Sequence, residues 1–105
     1  ALAAKNTIII KPSEKTPLTA LLLGEVFLES GLPKPALQIV PMDVKHIETV
    51  LNDERVNMIS FTGSAEVGWK LKNLVGRKSV ALELGGNAPV IIDESANIEK
   101  SVGQN

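Results

Sequence analysis

The chain of 105 residues contains no cysteine and no tyrosine, one tryptophan, two phenylalanines and one histidine. Without cysteine these residues can form no disulfide, no cysteine-held metal site and no thiol nucleophile. The lone His46 excludes a metal site built on paired histidines and leaves a serine, histidine and acid triad no spare member, so no metal is expected. Formal net charge is -1. A near-neutral chain with so few aromatic rings offers neither the basic field nor the stacking platform of nucleic-acid binders, and nucleic acid is not an expected partner. The longest apolar runs, residues 18–23 and 88–92, fall short of the roughly 20 residues that span a bilayer, and no charged leader precedes a cleavage-like site. The expected setting is cytoplasmic, with no membrane partner.

What remains is ordinary globular material, 44% hydrophobic and 22% charged, without repeats or low-complexity tracts. Apolar β-branched runs alternate with helical patterns. Residues 7–10 read as a first strand, nearly continuous in apolar β-formers as a parallel strand covered on both faces would be. A helix should open at Thr16 as N-cap with Pro17 in its first turn, bury Leu18, Leu21, Leu22 and Val26, and stop at Gly31. Residues 37–40 read as a second strand, and Asp43 should cap a short helix with Val44, Ile47 and Leu51 on one face. Residues 58–62 form a third strand, 64–75 a third helix and 80–84 a fourth strand. Such alternation predicts an α/β fold with a parallel sheet and flanking helices.

The alternation breaks after Leu84. Only residues 85–89 separate the fourth strand from the apolar run 90–92, whereas a parallel crossover needs about a dozen residues or more. The run is therefore expected to be the first strand of a second domain. Residues 1–84 would form the first domain and 85–105 a hinge and the start of the next.

The segment FTGSAEVG, residues 61–68, carries the strongest chemical signal. Gly63 allows a tight turn after the strand, and Ser64 caps a helix patterned through Val67, Leu71, Leu74 and Val75, leaving backbone donors free for an anion. Many strand-to-helix turns carry Gly-Ser for steric and capping reasons alone, a reading of about equal weight. Gly63 and Gly68 also have the spacing of a P-loop, but Trp69 stands where that motif needs lysine and Lys70 where it needs a hydroxyl, which disfavours an ATPase.

Five segments in order, NTIIIKPSEKTP, ESGLP, QIVP, FTGSAEVG and ALELGGNAPVII, together resemble the NAD-binding domain of the aldehyde dehydrogenase superfamily, a Rossmann-like nucleotide-binding fold, over nearly the whole chain. The resemblance implies that Lys11 and Glu14 bind the adenosine ribose. Ser64 would contact the pyrophosphate, Val67 would lie against the adenine, and Gly63 and Gly68 would admit the cofactor backbone closely. Leu84, Gly85 and Gly86 would face the nicotinamide, and Glu83 would be the general base that activates water against a thioester, its pKa raised by burial. Glu14 would repel a 2′-phosphate and favour NAD, with NADP left possible by Lys11 and Lys15. The parent is implied to be a homo-oligomer that oxidises a small-molecule aldehyde to a carboxylic acid through a cysteine thioester.

The chain departs from that pattern in several places. The nucleophilic cysteine and the oxyanion asparagine are both missing, so the chain is expected to be a piece of a longer enzyme and inactive alone. MDVKH follows Pro41 where relatives commonly carry a glycine-rich turn, and Asn87 stands where lysine is frequent. Two alternatives stay open: a coenzyme A-acylating relative, against which Glu83 argues, and a non-catalytic module that binds a nucleotide or a partner protein. For Trp69 and the helix over 18–28, core packing is the expected role rather than an interface.

Overall fold

The computed structural model describes residues 1–86 and 88–102. Strands β1 (Ile8–Ile10), β2 (Leu37–Ile39), β3 (Met58–Thr62) and β4 (Ser79–Glu83) alternate with helices α1 (Leu18–Glu29), α2 (Ile47–Asn52) and α3 (Ala65–Leu74), and a short α4 (Ile98–Val102) follows. β1 pairs with β2 and β3 with β4, both in parallel. The α/β class and parallel pairing expected from the alternation are present. Among the described residues the pairing falls into two two-stranded sheets, and the chain divides into two compact units, Ala1–Asn57 and Met58–Asn105.

In the first unit, β1 and β2 pair in register from Ile8 with Leu37 to Ile10 with Ile39, and Val40 N–H extends the ladder to Ile10 O at 2.8 Å. Helix α1 begins at Leu18 with Pro17 as N-cap and no side-chain cap. Thr16 does not cap it; its N–H closes a turn onto Ser13 O at 3.2 Å. The helix ends as its glycine predicts: Gly31 has φ 85°, its N–H donates to Leu28 O at 3.1 Å, and Leu32 N–H donates to Phe27 O at 3.3 Å. That pair of bonds is the Schellman arrangement, which satisfies carbonyls the helix end would otherwise strand.

The expected buried stripe of α1 is corrected. Leu18 is 71% exposed, and Leu21, Leu22 and Val26 are exposed too; Gly24 is the helix's buried residue. There α1 approaches β2, where a Cβ on Gly24 would stand 2.8 Å from Ile39 Cγ1. An open apolar groove lined by Leu21, Leu28, Leu37 and Ile39 runs beside this crossing. A two-stranded sheet is too narrow to cover a helix that is apolar on several sides, so one contact line is buried and the rest faces out. The helix expected after Asp43 starts as a 3-10 turn, Val44–His46, which Asp43 caps by accepting from Lys45 N–H at 3.1 Å. Of its expected apolar face, Leu51 is buried and Val44 is exposed.

The second unit follows the sequence more closely. β3 and β4 pair over five positions, from Met58 with Ser79 to Thr62 with Glu83, and bury Ile59. Helix α3 starts one residue after its cap Ser64, whose Oγ accepts from Val67 N–H at 3.4 Å. Val75 closes the helix and is 4% exposed. Glu66 and Lys70 form an exposed i,i+4 pair at 2.6 Å, in the orientation that supports a helix. Residues 90–92 are not a strand: a strand exists only with a ladder partner, and none of the described residues supplies one. Asn87, at the expected hinge, and residues 103–105 lie outside the described residues.

Candidate functional site

The residues singled out from the sequence fall into two groups, each at the carboxyl ends of a pair of parallel strands, the position where open α/β sheets bind ligands. Lys11 and Glu14 stand in the first unit, on the loop after β1. Gly63, Ser64, Val67, Glu83, Leu84 and Gly85 stand in the second, at the last residue of β4, on the segments after β3 and β4 and on the first turn of α3.

In the first group, Lys11 Nζ folds back onto Pro12 O at 3.0 Å. Glu14 is exposed, and its Oε1 accepts from Val44 N–H at 2.8 Å, a contact across 30 residues of chain. Asp43, the neighbour of Val44, is paired with Lys45 Nζ at 2.9 Å. The side-chain bond from Lys45 holds the Asp43 carboxyl below its ordinary value; the Lys45 N–H and the charges of His46 and Lys11 add to this. The MDVKH turn therefore meets the loop after β1 through a backbone donor, which no motif in the sequence announced.

In the second group, Gly63 N–H donates to the Glu83 carbonyl at 3.0 Å, extending the ladder one step past the Thr62 and Glu83 pair. This bond holds the Gly-Ser turn against the end of β4. The N–H groups of Ala65 and Glu66, in the first turn of α3, lack intrahelical acceptors and face an end of the helix that favours negative charge. The acidic Glu66 in that turn has its charge paired with Lys70, whose bond lowers the Glu66 pKa.

Both glycines of this turn are occupied by neighbouring side chains. The Phe61 ring lies over Gly63, with Cζ 2.6 Å from where a Cβ would stand, and the Leu84 side chain fills the space at Gly68, where a Cβ would collide with it. Gly68 is buried. The expected opening for a ligand backbone is thus taken at Gly68 by Leu84, which is how the end of β4 packs onto α3. Glu83 is exposed, so the described residues do not supply the burial expected around it. Val67 is 41% exposed, and Gly85 has open space where a side chain would be. Among the described residues no three His, Cys, Asp or Glu side chains gather into a metal site, and no helix is long and apolar enough to cross a membrane.

The first group thus presents a carboxylate on a strand-end loop, and the second a serine-capped helix start and a carboxylate at the end of β4. The sequence pattern of the aldehyde dehydrogenase family matches residues 1–104. The chain belongs to that family. A 3-sulfolactaldehyde dehydrogenase of Priestia aryabhattai is 44% identical over 102 residues, which is 96% of this chain and 21% of the relative. The crystal structure of succinate-semialdehyde dehydrogenase from Burkholderia pseudomallei superposes with a TM-score of 0.83 at 40% identity, over 98% of this chain and 22% of that one. Succinic semialdehyde dehydrogenase from Streptococcus pyogenes, solved with NADP+, gives 0.76 at 26% identity, over 91% of this chain and 22% of that one. The chain thus spans about a fifth of the length of the aldehyde dehydrogenases it matches.

Proposed function

We propose that the protein to which these residues belong oxidises an aldehyde to a carboxylic acid, with NAD as hydride acceptor and NADP as a possible substitute. The observation that carries this reading is the 3.0 Å bond from Gly63 N–H to the Glu83 carbonyl. It ties the residue assigned as general base to the turn assigned to the pyrophosphate, so one rigid strand end serves both.

The residues present fit the cofactor. The first turn of α3 offers free N–H donors for a pyrophosphate, and Glu14 has acceptor capacity beyond the Val44 bond for ribose hydroxyls. Gly85 leaves room beside the end of β4 for a flat ring. When bound, NAD supplies the electron sink for the aldehyde hydrogen. The chain's own part is to hold the pyrophosphate at Ser64, the adenine against Val67 and the ribose at Lys11 and Glu14. A cysteine outside these residues would add to the aldehyde to give a thiohemiacetal, whose loss of hydride leaves a thioester, and Glu83 would then take a proton from the water that attacks it. Residues 85–105 then serve as hinge and opening of the catalytic domain, in a cytoplasmic homo-oligomer.

The test is production of NADH by the full-length protein from a panel that includes 3-sulfolactaldehyde and succinate semialdehyde, the aldehydes in the relatives' names. No NADH from any aldehyde would sink the reading. The 105-residue chain alone, having no cysteine, is expected to give none.

A further inference from the structure

The Glu14 carboxylate is an assigned site side chain held by a backbone donor 30 residues away. We infer that the backbone N–H of Val44 is a positioning group for Glu14, and that the pair selects a ribose with a free 2′-hydroxyl over one bearing a 2′-phosphate. The inference rests on the assignment of Glu14 to the ribose.

An exposed Glu turns about three side-chain bonds, and such a side chain selects nothing unless something fixes it. Here the 2.8 Å bond from Val44 fixes it. Val44 opens the 3-10 turn, so its N–H has no acceptor within its own turn. That turn is in place because the ladder runs on to Val40, whose N–H reaches Ile10 O, and because Asp43 caps it. The Lys45 pairing also removes charge that would push Glu14 away.

The direction of the selection follows from the surroundings. Glu14 is flanked by Lys11 and Lys15, two cations that by themselves would welcome a phosphate. Holding one carboxylate oxygen on Val44 keeps the negative charge on the loop that carries both lysines, while the other oxygen can accept from a hydroxyl. With the N–H gone, Glu14 is free to swing out and leave the lysines to a 2′-phosphate.

A backbone donor is removed by proline, and this position accepts one. Asp43 has φ -63° and ψ 142°, the extended conformation a residue before proline requires, and the first residue of a helical turn tolerates the ring. In the full-length protein, dissociation constants for NAD and NADP, measured by calorimetry without aldehyde, are compared for wild type, Val44→Pro, Glu14→Gln and the double variant. Val44→Pro should weaken NAD and shift the NAD-to-NADP ratio by about tenfold toward NADP, the scale of one hydrogen bond to a charged group. In the Glu14→Gln background it should shift the ratio no further, since it acts through that carboxylate.

A shifted ratio in Glu14→Gln with an unchanged one in Val44→Pro overturns the positioning role and leaves the ribose assignment standing. An unchanged ratio in Glu14→Gln overturns both. Independent, additive shifts overturn the link between the two residues. Should Val44→Pro not fold, Glu14→Asp serves: its arm is one methylene shorter and cannot reach Val44 and ribose together, so a wild-type ratio there overturns the inference.

Discussion

The two strand-helix-strand halves of this chain share a plan and differ in finish. The first has three-residue strands, a helix without a side-chain cap, and Leu18, Leu22 and Val26 exposed. The second has five-residue strands, a serine cap, an ion pair on the helix surface and an apolar side that turns inward at Leu71 and Val75. A helix apolar on many sides belongs between layers, whereas an amphipathic one belongs at an outer surface. The first half is thus written for covering by more structure than the second. Under the proposed assignment the chemistry would divide the same way, the first half presenting the residues that choose the cofactor and the second those that hold its pyrophosphate and activate water.

The largest test of that division is Glu83→Gln in the full-length protein. The substitution keeps the shape and removes the basic oxygen, so hydrolysis of the thioester should slow by about 100- to 10,000-fold while hydride transfer is spared. Rapid mixing with aldehyde and NAD should show a burst of NADH near one equivalent per site, then slow turnover. Loss of the burst in a folded variant would place Glu83 in the first stage. Wild-type rates in both stages would deprive the second half of its chemical role.

Next come the two buried helix glycines, one in each half. A Cβ at Gly24 would meet the middle of Ile39, a β-branched side chain fixed in a strand, so Gly24→Ala should destabilise by about 1–3 kcal/mol. At Gly68 the obstacle is the far end of Leu84, past the last residue of β4, which can turn away. Relief of the glycine's backbone entropy offsets part of the cost, and Gly68→Ala should stay within about 1 kcal/mol. Urea unfolding of the two variants decides it. The reverse ranking would mean that Leu84 is held more firmly than Ile39.

These glycines also show what was legible in the sequence. The strand, turn and helix over residues 58–75 were readable because every determinant is local: β-branched residues, one glycine, a capping serine and a 3.6-residue period. Gly31 was readable as a stop for the same reason. The burial of Leu18, Leu21, Leu22 and Val26 was not, because periodicity marks apolar faces without stating what covers them. The run at 90–92 has no ladder partner among the described residues, and a strand is a property of two segments. In the site, the family resemblance pointed to Glu14 and Glu83, while their local sequence did not. The Val44 bond across 30 residues, and the filling of Gly68 by Leu84, are tertiary facts with no local signature. A glycine reads the same whether a ligand, a backbone or a side chain needs the space.

A smaller effect is expected at the uncovered face of α1. Leu22 is 61% exposed, so Leu22→Lys should change the unfolding free energy of the isolated chain by no more than about 0.5 kcal/mol. It should also lower the chain's tendency to self-associate, because it breaks an exposed apolar patch. Sedimentation of both forms measures this. Unchanged association would move the responsible surface away from the first half. A large loss of stability would show that Leu22 is already covered.

The smallest effect concerns acid. Each half carries an exposed carboxylate held below its ordinary value by a lysine: Asp43, by its bond from the Lys45 side chain and then from the Lys45 N–H, and Glu66, by its bond from Lys70 and then by the charge of Lys70. A carboxyl whose folded pKa is depressed stabilises the fold above its unfolded value, 3.8 for Asp43 and 4.5 for Glu66. That stabilisation is lost as pH falls through the folded pKa. Both contributions are therefore complete at neutral pH, decline once pH falls below each unfolded value, and are gone below the depressed folded pKa. Asp43→Asn and Glu66→Gln should each flatten the acid limb of stability against pH, by a small amount because both groups face water. Salt separates them. The Glu66 pair is side chain to side chain, and screening at about 1 M salt should erase the difference between Glu66→Gln and wild type. Asp43 also accepts a backbone bond at 3.1 Å, which short range protects from screening, so part of its effect should survive. Circular dichroism along acid titrations at low and high salt gives the comparison. Equal salt sensitivity of the two would reduce Asp43 to an ordinary surface ion pair and remove its capping bond as a support of the turn that carries Val44.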